Sequence, residues 1–136
     1  MNDRFKFRVW NNRDWDKDFG KVYYNAEETY DYLGGNPSIP ASSFDVLLED
    51  DEWIVEQCTG LKDKNGKLIY EGDLIKEPAN KYPLEIYYDK GVWQTREYRK
   101  NGNNEQLLYV LINCYGVEVI GNIHENTDLL ELKQDE

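Results

Sequence analysis

The chain has 136 residues, 40% of them hydrophobic, and a formal net charge of −11, which is typical of one soluble domain that buries a real core. It contains no apolar run of the roughly eighteen residues that a membrane-spanning helix needs, and no hydrophobic signal segment, so we expect a cytoplasmic protein. The acidic excess argues against unspecific binding to duplex nucleic acid, which requires clustered Lys and Arg.

The first strands are predicted near the N-terminus. Phe5–Val9 alternates apolar and basic residues, the pattern of a half-buried strand, and 21–24 forms a second short strand. The segment between them, with Trp15 and Phe19, lacks periodicity and is predicted to be a loop. Bases interleaved with aromatics in residues 4–24 would also suit a single-stranded nucleic-acid platform, although a strand with one solvated face is the commoner cause.

An acidic region follows, in which residues 23–61 hold nine acidic side chains and no Lys or Arg. A capping-box-like pair predicts a short helix over 26–33, and 35–43 is a loop by composition. Segments 44–48 and 53–58 are predicted as two strands of a hairpin, with a helix beginning at Ser43 as the alternative. The acidic turn between them repels itself and must be solvated; it consists of Glu49, Asp50, Asp51 and Glu52.

Turn chemistry dominates the centre of the chain. Asn65-Gly66 is a strong hairpin signal, because both residues tolerate a left-handed backbone. Gly72 then interrupts the apolar run of 68–75 and indicates a bend at a sheet corner. A calcium loop at Asp63 is disfavoured, since the spacing of oxygen ligands is not that of an EF-hand. Paired carboxylates at 71 and 73 are more simply solvated charges beside the bend.

Downstream, short strands at regular spacing indicate a small barrel. Segments 84–88 and 92–98 are predicted as strands joined by a turn, and 99–105 as a longer exposed turn. The apolar run 107–112 fits the most buried strand, and 117–120 alternates once more.

No constellation of catalytic or metal-binding residues is recognisable. His124 is the only histidine and Glu125 its only neighbouring acid, while Cys58 and Cys114 are the only cysteines, too few for a typical structural zinc site. We therefore predict no enzyme activity, no metal and no cofactor.

Three segments carry a family resemblance. Gln57–Ile75 (Q-C-T-G-L-K-D-K-N-G-K-L-I-Y-E-G-D-L-I) resembles the signature of the YopX family of phage and prophage proteins, Val119–Leu130 is similar to its C-terminal motif, and Phe7–Trp10 resembles its opening. Cys58 and Thr127 depart from the family pattern, which usually has an aromatic residue and a proline there. The resemblance implies a small protein encoded by a bacteriophage or prophage, acting in the bacterial cytoplasm, without an established activity and without catalytic residues to carry over.

The predicted fold is α+β, mainly β. We expect a single domain over 1–136, in which an SH3-like barrel of about 57–136 is covered by an N-terminal layer of strands and a short helix, about 1–56.

The predicted function is that of a non-enzymatic module that binds a host or phage protein. Strand aromatics make effective anchors for a partner, so the candidate contact residues are Tyr87, Tyr88, Trp93, Tyr98 and the four acids 49–52. The alternative is an acidic decoy that mimics nucleic acid and occupies a host protein's DNA- or RNA-binding site. The simplest reading of the acidity is solubility alone. Exposed sheet edges leave a homo-oligomer open.

Overall fold

The computed structural model describes residues 3–28, 44–49, 51–78, 82–99 and 102–126. These residues form nine strands and two α-helices: β1 (Phe7–Asn11), β2 (Val22–Tyr24), α1 (Phe44–Glu49), β3 (Trp53–Lys62), β4 (Leu68–Tyr70), β5 (Asp73–Lys76), β6 (Leu84–Asp89), β7 (Val92–Arg99), β8 (Gly102–Leu107), α2 (Leu108–Cys114) and β9 (Glu118–Asn122). The mainly β class predicted from the sequence is confirmed.

The chain divides into two compact units, residues 1–58 and 59–136. That these units form one domain, with the first as a layer on the second, stays a prediction. In the first unit, β1 lies between β2 and β3 and runs antiparallel to both. Val9 is opposite Tyr23 on one side and Val55 on the other. Val9 and Tyr23 also belong to the unit's core, together with Ala26, Leu47 and Trp53.

Two predictions for the first unit need correction. Residues 44–48 are not a strand: Phe44–Glu49 is helix α1, the alternative considered above. The helix buries Leu47 in the core and leaves Leu48 exposed, so one apolar contact per turn is satisfied without a neighbouring strand. Also, the first strand begins at Phe7, because Asp3–Phe5 forms a 3-10 turn. The predicted helix 26–33 is seen as a 3-10 turn, Ala26–Glu28, and its remainder lies outside the described residues.

The second unit begins with the predicted central hairpin. The last part of β3 pairs with β4 in one sheet, and Gly66 has the left-handed φ of +84° that its turn requires. At Gly72, where φ is +85°, the chain bends and enters a second sheet as β5. The predicted hairpin and corner are therefore both present.

The second sheet has five antiparallel strands in the order β8-β7-β6-β5-β9 and curls into a half-barrel. Its register is irregular between Leu74 and Ile75, opposite β9, where a bulge increases curvature. The concave side is filled by a core of Ile69, Ile75, Leu84, Ile86, Leu108, Leu111 and Val117.

Two further predictions are wrong. Residues 107–112 are not the most buried strand, because 108–114 is helix α2, which buries Leu108 and Leu111 while Tyr109 and Val110 face solvent. Residues 99–105 are not an exposed turn: 102–107 is strand β8, paired with β7. Pairing satisfies the backbone of this Asn-rich segment, whose composition favours turns.

Candidate interaction surface

The β6–β7 hairpin positions the predicted aromatics. Lys90 and Gly91, its two loop residues, have φ of +53° and +82°, the backbone of a two-residue turn whose twist matches that of the strands. This tight turn fixes the register, so that Tyr87 is opposite Gln94 and Tyr88 is opposite Trp93. Since successive side chains of a strand point to opposite faces, the two tyrosines lie on opposite sides of the sheet.

One side is the convex surface of the sheet, away from the buried Leu84 and Ile86. We call it the outer face; its members are Glu85, Tyr87, Gln94, Arg96 and Glu105, brought together by the pairing of β6 with β7 and of β7 with β8.

Contacts between neighbouring strands order the outer face. The Arg96 guanidinium lies 4.1 Å from the centre of the Tyr87 ring, and its Nη2 is 3.5 Å from Oε2 of Glu85. The Tyr87 hydroxyl donates to Oε1 of Gln94 at 3.0 Å. Nε2 of Gln94 in turn donates to the backbone oxygen of Asp89. Each long side chain is therefore held in place before any partner arrives.

The phenol of Tyr87 stays protonated over the neutral range. Burial raises its pKa above the ordinary value, and the hydrogen bond and negative charge of Glu105 raise it further. The outer face thus combines one neutral phenol, one guanidinium and two carboxylates around a partly buried ring. Such a surface binds through aromatic contact and directional polar groups.

Tyr88 and Trp93 lie on the opposite side. Their rings meet edge to face with centroids 4.9 Å apart, and Trp93 packs against the core while Tyr88 is 55% exposed. The backbone of Tyr98 pairs with Asn103, and its side chain lies outside the described part of the chain. The structure therefore does not gather the four predicted aromatics into one patch.

The predicted acidic contacts belong to the first unit. Glu49 ends α1, and Asp51 and Glu52 form the turn before β3; all three are exposed. Asp50 is not among the described residues. The backbone oxygen of Glu52 accepts a hydrogen bond from the amide of Asn12, which attaches the acidic turn to the β1–β2 loop.

That loop contains an ordered group that the sequence interpretation missed. The side chain of Asn11, only 1% exposed, accepts bonds from the backbone and Nε of Arg13 and donates to Asp16. The bond from the Asp18 amide, with that from Asn11, lowers the pKa of Asp16. Arg13 lies over the Trp53 ring at 4.5 Å, and near Trp15. The spacing Asn-x-Arg-x-x-Asp was the available signal.

Asp63 has a structural role in the second unit. Its Oδ1 accepts from the amides of Asn65 and Lys67, and its Oδ2 from that of Val119. Burial by itself raises the pKa of Asp63, but these backbone bonds and the charge of Lys67 outweigh it and hold the pKa below 3.8. Both oxygens thus serve the turn, as predicted.

Other chemistry-bearing side chains are dispersed. The backbone amide of His124 donates to Oδ1 of Asn122; Cys58 is buried and Cys114 exposed. Across the described residues, no group of three or more His, Cys, Asp or Glu lies close enough to hold a metal ion.

A cleft of about 270 Å³ lies beside β5 and β9, lined by Lys64, Lys76, Pro78, Gly116 and Glu118. Nζ of Lys64 is 3.5 Å from Oε2 of Glu118, so the charges that line the cleft partly neutralise one another.

Neither α-helix within the described ranges is long and apolar enough to cross a membrane.

Comparisons with known proteins extend over nearly the whole chain. The model of a family described as YopX protein matches residues 6–131. Among solved structures, the chain is similar to protein EF1440 from Enterococcus faecalis, with 26% sequence identity and a TM-score of 0.50, over 92% of this chain and 96% of that chain. None of the curated proteins resembles the sequence closely enough to count as a relative.

Proposed function

The chain belongs to the YopX family, and from that premise we propose that it is a phage- or prophage-encoded accessory protein that works in the bacterial cytoplasm by binding another protein, without catalysing a reaction. The observation that carries this proposal is the outer face of the second unit. There, Tyr87, Gln94 and Arg96 are ordered by contacts with one another and with the backbone. A surface that is ordered before binding loses less conformational entropy when a partner docks.

The composition of the outer face favours a protein partner. Tyr and Arg are over-represented among the residues that dominate binding energy at protein interfaces. The carboxylates of Glu85 and Glu105 would oppose the phosphates of a nucleic acid, whereas they suit a partner that presents Lys or Arg.

We further propose that the half-barrel is SH3-like. The order β8-β7-β6-β5-β9 is a four-strand meander whose last strand returns beside the first. Helix α2 joins the meander to that returning strand. An arrangement of this kind places short loops around a small sheet and leaves its convex side available to partners.

Affinity capture tests the proposal. The wild-type chain, Tyr87→Ala and Tyr24→Ala are immobilised and incubated with nuclease-treated lysate from a bacterial host. Tyr24 is the matched control because it is a tyrosine, 46% exposed, on a strand of the other unit. We expect one stoichiometric protein with the wild type and Tyr24→Ala, and its loss with Tyr87→Ala. Capture that is equal for all three chains, or that disappears with nuclease, would contradict the proposal.

A second candidate function is an acidic decoy for a nucleic-acid-binding protein of the host. It is favoured by the exposure of Glu49, Asp51 and Glu52 in a region, 23–61, without Lys or Arg. Binding of this kind weakens steeply with salt. Charge reversal at Glu49 and Glu52 should abolish it and Tyr87→Ala should not, so the same assay separates the two functions.

A further inference from the structure

Helix α2 carries an exposed apolar surface that the proposed function does not use. Leu107, Tyr109, Val110 and Tyr115 are 46%, 66%, 44% and 60% exposed, and Cys114 is exposed as well. Isolated exposed apolar residues are ordinary, but contiguous apolar patches of several hundred Å² usually mark an interaction site.

The geometry of the helix makes these residues contiguous. Leu108 and Leu111 are buried in the core, which fixes the orientation of α2. Since residues four apart are neighbours on a helix surface, Val110 lies beside Cys114, on the side away from that core. We call the surface formed by Leu107, Tyr109, Val110, Cys114 and Tyr115 the α2 face.

Charge indicates what can cover the α2 face. Residues 106–117 include no charged side chain, in a chain that has 27 acidic and 16 basic residues. Two copies with a net charge of −11 repel each other over most approaches, and an uncharged face is where they can meet without opposing their acids. A basic or acidic partner finds no group of opposite charge there.

We propose that a second copy of this chain covers the α2 face, so that two α2 helices pack against each other across a two-fold axis. In such a dimer each patch contacts its own counterpart, and apolar, uncharged surfaces are typical of interfaces between identical chains. A seven-residue helix with its flanks offers less area than the roughly 800 Å² per partner of a standard interface. The dimer is therefore weak, and its population depends on protein concentration.

Sedimentation equilibrium tests this proposal on the full chain, with Cys114 kept reduced. We expect the average mass of the wild type to rise with concentration from 16.1 kDa toward twice that value. Added salt should strengthen the association, because it screens the repulsion between acidic copies. Val110→Glu should raise the dissociation constant at least about tenfold, since it places one carboxylate from each copy at the interface.

Leu48→Glu is the matched control, since Leu48 is an exposed aliphatic residue on the other short helix, α1. Its dissociation constant should equal that of the wild type. Tyr109→Ser, which adds no charge, gives a second reading of the α2 face and should also weaken the dimer.

A wild type that remains monomeric at millimolar concentration and high salt would overturn the proposal. So would a Leu48→Glu chain that is weakened as much as Val110→Glu. If Val110→Glu abolished capture of a different protein while the wild type did not self-associate, the occupant would be that protein and the dimer would be rejected. None of these results affects the outer face, which Tyr87→Ala probes separately.

Discussion

The backbone amide of Val119 donates to Oδ2 of Asp63 across 3.0 Å, joining residues that are 56 positions apart. The other carboxylate oxygen closes the turn of Asn65 and Lys67. One side chain thus connects the hairpin of the family-like central segment to the beginning of β9.

Asp63→Ala should lower the free energy of unfolding by about 2 kcal/mol or more, because it leaves buried amide groups without an acceptor. Urea unfolding followed by circular dichroism measures the change. Asp89→Ala is the control: Asp89 is an exposed aspartate in another tight turn, and its loss should change stability by less than about 0.5 kcal/mol. Equal effects of the two substitutions would contradict the role of Asp63.

The contribution of Asp63 should depend on pH in a defined direction. The pKa of this carboxyl in the folded chain lies below its ordinary 3.8, so the folded state binds the proton less readily than the unfolded state. The stabilisation is complete above pH 3.8 and is lost as pH falls through the lower, folded-state pKa. The stability difference between wild type and Asp63→Asn should therefore shrink in acid. A difference that grew on acidification would reverse the assigned shift.

A buried ion pair should control the stability of the first unit. Nε of Arg8 is 2.8 Å from Oε1 of Glu56, and the two side chains are 3% and 5% exposed. Glu56→Ala should cost about 3–5 kcal/mol, since it strands a buried guanidinium, whereas the double replacement Arg8→Met with Glu56→Leu should recover most of the loss. The exposed pair of Lys6 and Asp3 is the control, and Asp3→Asn should cost less than about 1 kcal/mol.

The orientation of α2 predicts opposite results for two neighbouring apolar residues. Leu111→Ala should destabilise the second unit by about 2–5 kcal/mol, because Leu111 is 1% exposed in the core. Tyr109→Ala should change stability by less than about 0.5 kcal/mol, since Tyr109 is 66% exposed. Comparable losses at both positions, measured by urea unfolding, would favour the buried strand that the sequence suggests.

Local turn chemistry made much of the second unit predictable. Asn65-Gly66 and Gly72 are positions where few other residues fit the backbone, so the hairpin and the corner could be inferred from residue type. The β6–β7 hairpin was predicted for a related reason, since alternating apolar strands flank Lys90-Gly91.

Segments whose structure depends on tertiary packing were not predictable. The run Leu107–Ile112 is apolar at every position, so it lacks the periodicity that separates helix from strand. Only the core decides that Leu108 and Leu111 turn inward. The strand β8 is similar: its Asn-rich composition favours a turn, and pairing with β7 overrides that preference.

The candidate site was predictable in residue type but not as one surface. Tyr87 and Tyr88 are adjacent on a strand, and alternation alone places them on opposite sides of a sheet. The contacts of Tyr87 with Gln94 and Arg96 depend on the cross-strand register, which the turn sets and the sequence only suggests.

Hydrogen exchange on the complex with the captured protein tests the central claim most directly. If the outer face is the contact surface, partner binding should slow amide exchange in β6, β7 and β8, and Tyr87→Ala should remove that protection. Slowed exchange confined to residues 44–52, or no change in these three strands, would contradict the account.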